Sequence, residues 1–262
     1  MDTINAIILG AVQGLTEFLP VSSSGHLQIA KSLLGVHIDE NITFDVMLHA
    51  ATVLSTIVVM WRELWRLLCG VFSRRFNEEQ AYVLKILISM VPAGVIGVLF
   101  ADKIEMLFSS LAFVGTMLLV TAALLAFAYR AKPRQRDTIS FRDAFIIGCA
   151  QAAATMPGLS RSGSTIATGL LLGNRKETVA EFSFIMVIPV ILGKVLLDIM
   201  SGEMSAVSVG ATPMAAGFIA AFVTGAFACK FMIEAVKRGK LIWFAIYCAV
   251  VGAVAIVGSI FA

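Results

Sequence analysis

Two short stretches hold most of the residues able to do chemistry. The first runs Gln13-Gly14-Leu15-Thr16-Glu17-Phe18-Leu19-Pro20-Val21-Ser22-Ser23-Ser24-Gly25-His26, the second Pro157-Gly158-Leu159-Ser160-Arg161-Ser162-Gly163-Ser164-Thr165. On a helix, Gly10, Gln13, Gly14 and Glu17 share one face, because they sit three or four apart. That face is small and polar, so a partner or ligand can come close. Serines ahead of Gly25 and a short apolar run read as a helix N-terminus, whose free donors and positive dipole end favour an anion. Ser22 or Ser24 would serve equally as the cap of that helix. Ser23 and His26 are three apart, so the imidazole could act as base or acid for a nucleophilic serine; spacing alone leaves His26 open as the nucleophile itself. Arg161 opens a second such helix, and its guanidinium forks onto phosphate oxygens. Together these groups predict a phosphate-like anionic ligand, with a divalent cation (Mg2+ or Ca2+) beside Glu17. Asp45 and His49, four apart, either line the mouth of the pocket or, as favoured here, pair with each other on a helix surface.

The surroundings of these residues are apolar. Of 262 residues 59% are hydrophobic and 14% charged, with a mean hydropathy of +0.92. A soluble domain carries roughly a quarter of its residues charged, so a water-soluble globule is excluded, as is a disordered chain. Nothing points to nucleic acid as a partner. Cys69, Cys149, Cys229 and Cys248 are scattered in apolar stretches and read as small core residues. The start Met1-Asp2-Thr3-Ile4-Asn5 lacks the basic residues of a cleavable signal, so insertion without cleavage is expected.

Six stretches reach the roughly 20 apolar residues a crossing needs: about 44–61, 82–100, 111–129, 180–199, 213–232 and 241–261. Residues 3–35 and 143–173 are interrupted by Pro20 and Pro157 and by the serine runs, leaving pieces too short to cross alone. Proline ends the helix before it. Irregular backbone at membrane depth survives only inside protein or beside a wet cavity, so both regions read as re-entrant hairpins. Pro92, Pro189 and Pro213 read as kinks or helix starts, and Glu181, Lys194 and Asp198 as groups snorkelling near segment ends. Burying Arg161 at that depth costs at least ~2.5 kcal/mol and demands a partner; Glu17, ionisable in the other hairpin, is functional by default.

With both hairpins re-entrant, the loops at 62–80, 130–142, 173–178 and 230–240 share one face. They hold fifteen lysines and arginines, Lys132 and Arg134 among them, against Lys31 and Lys103 opposite. That asymmetry assigns the basic face to the cytoplasm and both termini to the outside. The halves also match: at an offset of 138 residues, Gly10/Gly148, Gln13/Gln151, Ser22/Ser160, Ser24/Ser162, Gly25/Gly163 and Leu33-Leu34-Gly35/Leu171-Leu172-Gly173 are identical. A hairpin plus three crossings per half inverts the second copy. The expected fold is thus all-α: one polytopic membrane domain over 1–262, six transmembrane helices plus two re-entrant hairpins, with inverted repeats about 1–130 and 139–262. In such folds broken helices meet near the midplane and form the site.

Gln13-x-x-x-Glu17 with Pro20-Val21-Ser22-Ser23-Ser24-Gly25-His26, and Pro157-Gly158-Leu159-Ser160-Arg161-Ser162-Gly163-Ser164-Thr165, resemble the motifs of the bacterial undecaprenyl-diphosphatase family linked to bacitracin resistance. The likeness in length and hydropathy covers essentially the whole chain. It implies hydrolysis of undecaprenyl diphosphate to the monophosphate carrier of cell-wall synthesis and inorganic phosphate, in the bacterial plasma membrane, dependent on a divalent cation, at a site open to the outer face. By that resemblance Ser23 is the nucleophile, His26 exchanges its proton, and Glu17 holds the metal with Gln13. Arg161 stabilises the phosphoryl oxygens, with Gln13, Ser22, Ser24, Ser160, Ser162 and Thr165 binding substrate. Position 13 is Gln, where the family also allows Glu, which removes one metal-binding carboxylate. A homodimer is a further expectation. A transporter or lipid flippase is the alternative, since inverted repeats with broken helices are its signature too.

Overall fold

A computed structural model describes residues 1–36, 42–108, 110–131, 136–200 and 209–261, and among these the regular structure is helical throughout. Lys132 and Arg134, and the side chains of Lys194 and Asp198, lie outside the described residues. The first broken region forms α1 (Thr3–Phe18) and α2 (Ser23–Leu33), the second α7 (Phe141–Ala153) and α8 (Arg161–Leu171). Between them run α3 (Ile42–Val59), α4 (Trp61–Val71), α5 (Glu78–Phe108) and α6 (Leu111–Arg130); α9 (Lys176–Met200), α10 (Ala211–Lys237) and α11 (Leu241–Phe261) follow.

Local chemistry sets the helix starts. Asp2 accepts from the Asn5 amide at 2.7 Å, and the Ser110 and Ser140 hydroxyls accept from Phe113 and Asp143. Each satisfies a backbone donor that the first turn leaves unpaired. As expected, α1 and α7 stop before Pro20 and Pro157, Pro92 and Pro189 lie inside α5 and α9, and Pro213 sits in the first turn of α10. Among the described residues four helices are long and apolar enough to cross a membrane, Glu78–Phe100, Leu111–Arg130, Ala211–Lys237 and Leu241–Ile260, or five if the bent pair Thr43–Val59 and Trp61–Val71 counts as one span. Two sequence readings need correction. Part of the expected loop over 62–80 is α4, bent 82° from α3 at Met60, because Leu64 and Leu67 recur at helical spacing and pack on the core. Cys69 and Cys149 are exposed on helix surfaces; only Cys229 and Cys248 are buried.

Helix pairing follows the small residues. α1 lies along α10 and α7 along α5. Gly10 of α1 faces the backbone carbonyl of Gly217, and its counterpart Gly148 faces that of Ser89, so a Cβ at either position would strike main chain. Without a hydrophobic drive between helices in lipid, such close backbone approach is what holds them together. α6 pairs with α11, α3 packs on α10 and α9, and α8 sits between α6, α7 and α9. Among the described residues the largest buried cluster includes Phe18 at the end of α1 with Phe182, Phe184, Met186 and Met232. Where α8 ends, the Asn174 amide bonds to the buried Asp143 carboxylate at 3.3 Å, and Arg136 approaches the same group.

Candidate active site

The two hairpin tips meet. Arg161 Nη2 lies 2.5 Å from Glu17 Oε1, joining residues 144 apart in sequence. The other carboxylate oxygen accepts from the Ser23 hydroxyl at 2.8 Å and the Gln13 amide at 2.9 Å. Glu17 therefore gathers three donors while only 6% exposed. Ser23 and Arg161 are equivalent at the 138-residue offset; each is the first residue of its helix, behind the caps Ser22 and Ser160. One carboxylate thus accepts from the side chains that open α2 and α8. Arg161 Nη1 is buried without a hydrogen-bond partner, as is Gln13 Oε1.

The turns that aim these groups are built from the serine runs. Ser22 caps α2 by accepting from the Gly25 amide at 3.4 Å, with its own φ at +69°. A left-handed conformation costs a non-glycine residue about 1–3 kcal/mol and persists where the surroundings fix it. Ser24 lies 3.3 Å from the Ser22 hydroxyl. Gly158 has φ +89°, and a Cβ there would meet the Val114 carbonyl, so α6 presses directly on the second turn. Ser160 caps α8 through the Gly163 amide at 3.1 Å and donates its own N–H to Thr121 at 3.0 Å. Ser162 donates to the Leu19 carbonyl at 3.1 Å, and Thr165 donates to the Arg161 carbonyl at 2.9 Å and pairs with Ser183. These last three hydroxyls are 1–2% exposed and committed to holding the tips together.

Two expected pairings are not formed. His26 does not bond to Ser23: its Nδ1 lies 2.9 Å from the Ser22 carbonyl and must donate there, leaving Nε2 to accept from the Tyr247 hydroxyl at 2.8 Å. The rings also stack, 5.5 Å apart. The side chains of Asp45 and His49 do not pair either. Asp45 bonds to Lys31 at 2.5 Å, while His49 Nδ1 donates to the Asp45 backbone carbonyl at 2.8 Å. His49 comes close enough to Glu17 to interact with its charge, so it belongs to the site's surroundings. Lys31, counted above with the charges of the face opposite the basic loops, has a side chain only 3% exposed. Sequence reading missed Tyr247, Thr121 and Ser183, whose polar tips lie in apolar helices with no motif around them; only their placement at mid-helix in such company marks them.

For a divalent cation the oxygens fit in part. Gln13 Oε1 is a buried acceptor without a partner, one helical turn from the Glu17 carboxylate. Among the described residues no three His, Cys, Asp or Glu side chains cluster as a complete ligand set. A hard cation held by one carboxylate and one amide oxygen would draw its other ligands from water and a bound phosphate.

The family model described as bacitracin resistance protein BacA matches residues 6–254. The chain is 59% identical over 260 residues to the undecaprenyl-diphosphatase of Parabacteroides distasonis, covering 98% of each chain. It is 57% identical over 263 residues to that of Bacteroides fragilis, covering 99% of each. A protein of the same name from Methanosphaera stadtmanae is 37% identical over 277 residues and 99% of each chain.

Proposed function

The chain belongs to the bacitracin resistance protein BacA family, and from that membership and its hairpin site we propose that it is a membrane-embedded undecaprenyl-diphosphatase. It hydrolyses undecaprenyl diphosphate to undecaprenyl phosphate and inorganic phosphate, serving cell-wall synthesis and bacitracin resistance. The observation that carries the chemistry is the convergence of Ser23, Gln13 and Arg161 on Glu17.

Ser23 Oγ attacks the terminal phosphorus, and its proton passes to Glu17, the carboxylate it already donates to at 2.8 Å. The anhydride bond breaks, undecaprenyl phosphate leaves, and water hydrolyses the phosphoserine to free phosphate and serine. Arg161 turns its unpartnered Nη1 to the phosphoryl oxygens and offsets the charge gathered there. Glu17, with Gln13 Oε1, would hold the divalent cation, Mg2+ or Ca2+, which supplies charge neutralisation at the diphosphate. Ser24, half-buried and 3.3 Å from the Ser22 hydroxyl, is assigned to substrate binding, while Ser22, Ser160, Ser162 and Thr165 fix the two tips. His26 keeps a fixed orientation through Ser22 and Tyr247, and its engaged Nε2 favours Ser23 over His26 as nucleophile.

The proposal includes the six-crossing count, both termini and the site facing outward, and inverted repeats about 1–130 and 139–262. The charge asymmetry of the loops supports the orientation. The exchange of partners, α1 on α10 against α7 on α5 with α6 on α11, supports the repeat. Pairing of two copies is compatible with the many exposed apolar helix faces. The carrier alternative gains no observation in its favour. Phosphate release from undecaprenyl diphosphate by the purified protein in detergent is the deciding assay. Release requires hydrolysis, and its absence with correctly inserted protein and added Mg2+ would refute the reading.

A further inference from the structure

Helix α4 has no part in the site described above, yet it is a built element. Its bend of 82° from α3 turns it nearly across the direction of that helix. Three stripes run along it. Leu64 and Leu67 pack on the core. Trp61, Trp65, Leu68 and Phe72, at helical spacing, are 55%, 53%, 52% and 81% exposed, and the two indoles stack at 5.8 Å. Arg62 and Arg66 form an exposed basic edge beside that apolar stripe, and Arg74 and Arg75 extend it into the following turn. Within 61–76 the only acidic residue is Glu63, paired with Arg66 at 2.9 Å. Arg62, Arg74 and Arg75 have no carboxylate partner among the described residues.

The far end of α4 is clamped. Asn77 donates to the Gly70 carbonyl at 2.9 Å, and Gln80 to the Val71 and Ser73 carbonyls, both at 2.9 Å. These bonds satisfy the carbonyls that a helix end leaves unpaired and pin α4 to the start of α5. Glu79 packs against Gly70, so α4 and α5 are in close contact there. Rigid attachment, an exposed aromatic stripe and an adjoining row of arginines are the features of a helix lying in a membrane interface.

We propose that α4 lies in the membrane plane on the basic side of the protein, its tryptophan stripe among the acyl chains and its Arg62–Arg66 edge on the headgroups of anionic phospholipids. Charge complementarity selects that occupant: the segment carries a net +3, four arginines less one glutamate. Each basic residue near an anionic surface contributes about 1 kcal/mol, or roughly fivefold in affinity. The proposal is independent of the hydrolytic reading, because its test reads lipid contact and not turnover.

In a Trp243→Phe variant, Trp61 and Trp65 are the two remaining tryptophans. Reconstituted with brominated phosphatidylglycerol or brominated phosphatidylcholine, their fluorescence should be quenched by both lipids. The anionic one should compete about fivefold or more better, and raised salt should weaken that preference. Changing Arg62, Arg66, Arg74 and Arg75 together to Gln should bring the ratio near one, whereas changing all four to Lys should preserve it. Absence of quenching by either lipid would mean that water or another protein surface covers the stripe, and would overturn the proposal. Equal quenching by the two lipids, or a preference indifferent to salt, would overturn it as well, and both are read without the arginine variants.

Discussion

At the residue scale, the Glu17 carboxylate organises everything around it. Removing the proposed nucleophile or the cation that faces Glu17 should stop turnover: Ser23→Ala and Arg161→Ala are each expected to reduce phosphate release by about a thousandfold or more, with insertion intact. Arg161→Lys should recover little, because an ammonium cannot hold Glu17 and reach phosphate with a second nitrogen as the guanidinium can. Near-normal turnover in purified Ser23→Ala would remove Ser23 from the mechanism. Tyr247→Phe deletes one hydrogen bond to His26 while keeping the stacked ring, so a loss of about fivefold in kcat is expected, on the scale of one neutral hydrogen bond. The motif residues were legible because ionisable and hydroxyl groups are conspicuous in an apolar chain. Their pairings were not. Three-residue spacing put His26 near Ser23, but the left-handed turn at Ser22 sends Ser23 to Glu17 and His26 to Tyr247, a partner 221 residues away that no local pattern announces.

At the scale of elements, hairpin geometry is maintained by buried pairs and close backbone contacts. Lys31, near the end of α2, is tied to Asp45 at the start of α3. Lys31→Met should cost about 1 kcal/mol by leaving the partly exposed Asp45 without its cation, and adding Asp45→Leu should restore much of it; a thermal melt in detergent gives the comparison. Gly148→Leu should force α7 from α5 and lower both Tm and activity, since its Cβ would meet the Ser89 backbone. Breaks at Pro20 and Pro157 and restarts at Ser22 and Ser160 were readable, since proline and capping serine act locally. Helix α4 was not: its many arginines resemble a solvated loop, and its helicity depends on Leu64 and Leu67 finding a core contributed by other helices.

At the scale of the molecule, the pairing of α1 with α10 and of α7 with α5 is compatible with the proposed repeat, and labelling can test its inverted orientation. In a variant lacking the four native cysteines, a cysteine at Arg75 should react only with reagent admitted to the inside, and tags on both termini only with reagent outside. Labelling of Arg75→Cys from outside would reverse the whole assignment. EDTA should suppress turnover while leaving the helical fold, with recovery on adding Mg2+, because the cation would be held by few protein oxygens and would not support the fold. The ion pair at the centre has a consequence for biogenesis. Glu17 is inserted while its counter-charge, 144 residues downstream, has yet to leave the ribosome. The nascent first half must therefore shelter a carboxylate without its counter-charge, protonated or wet, until the later hairpin arrives to pair with it.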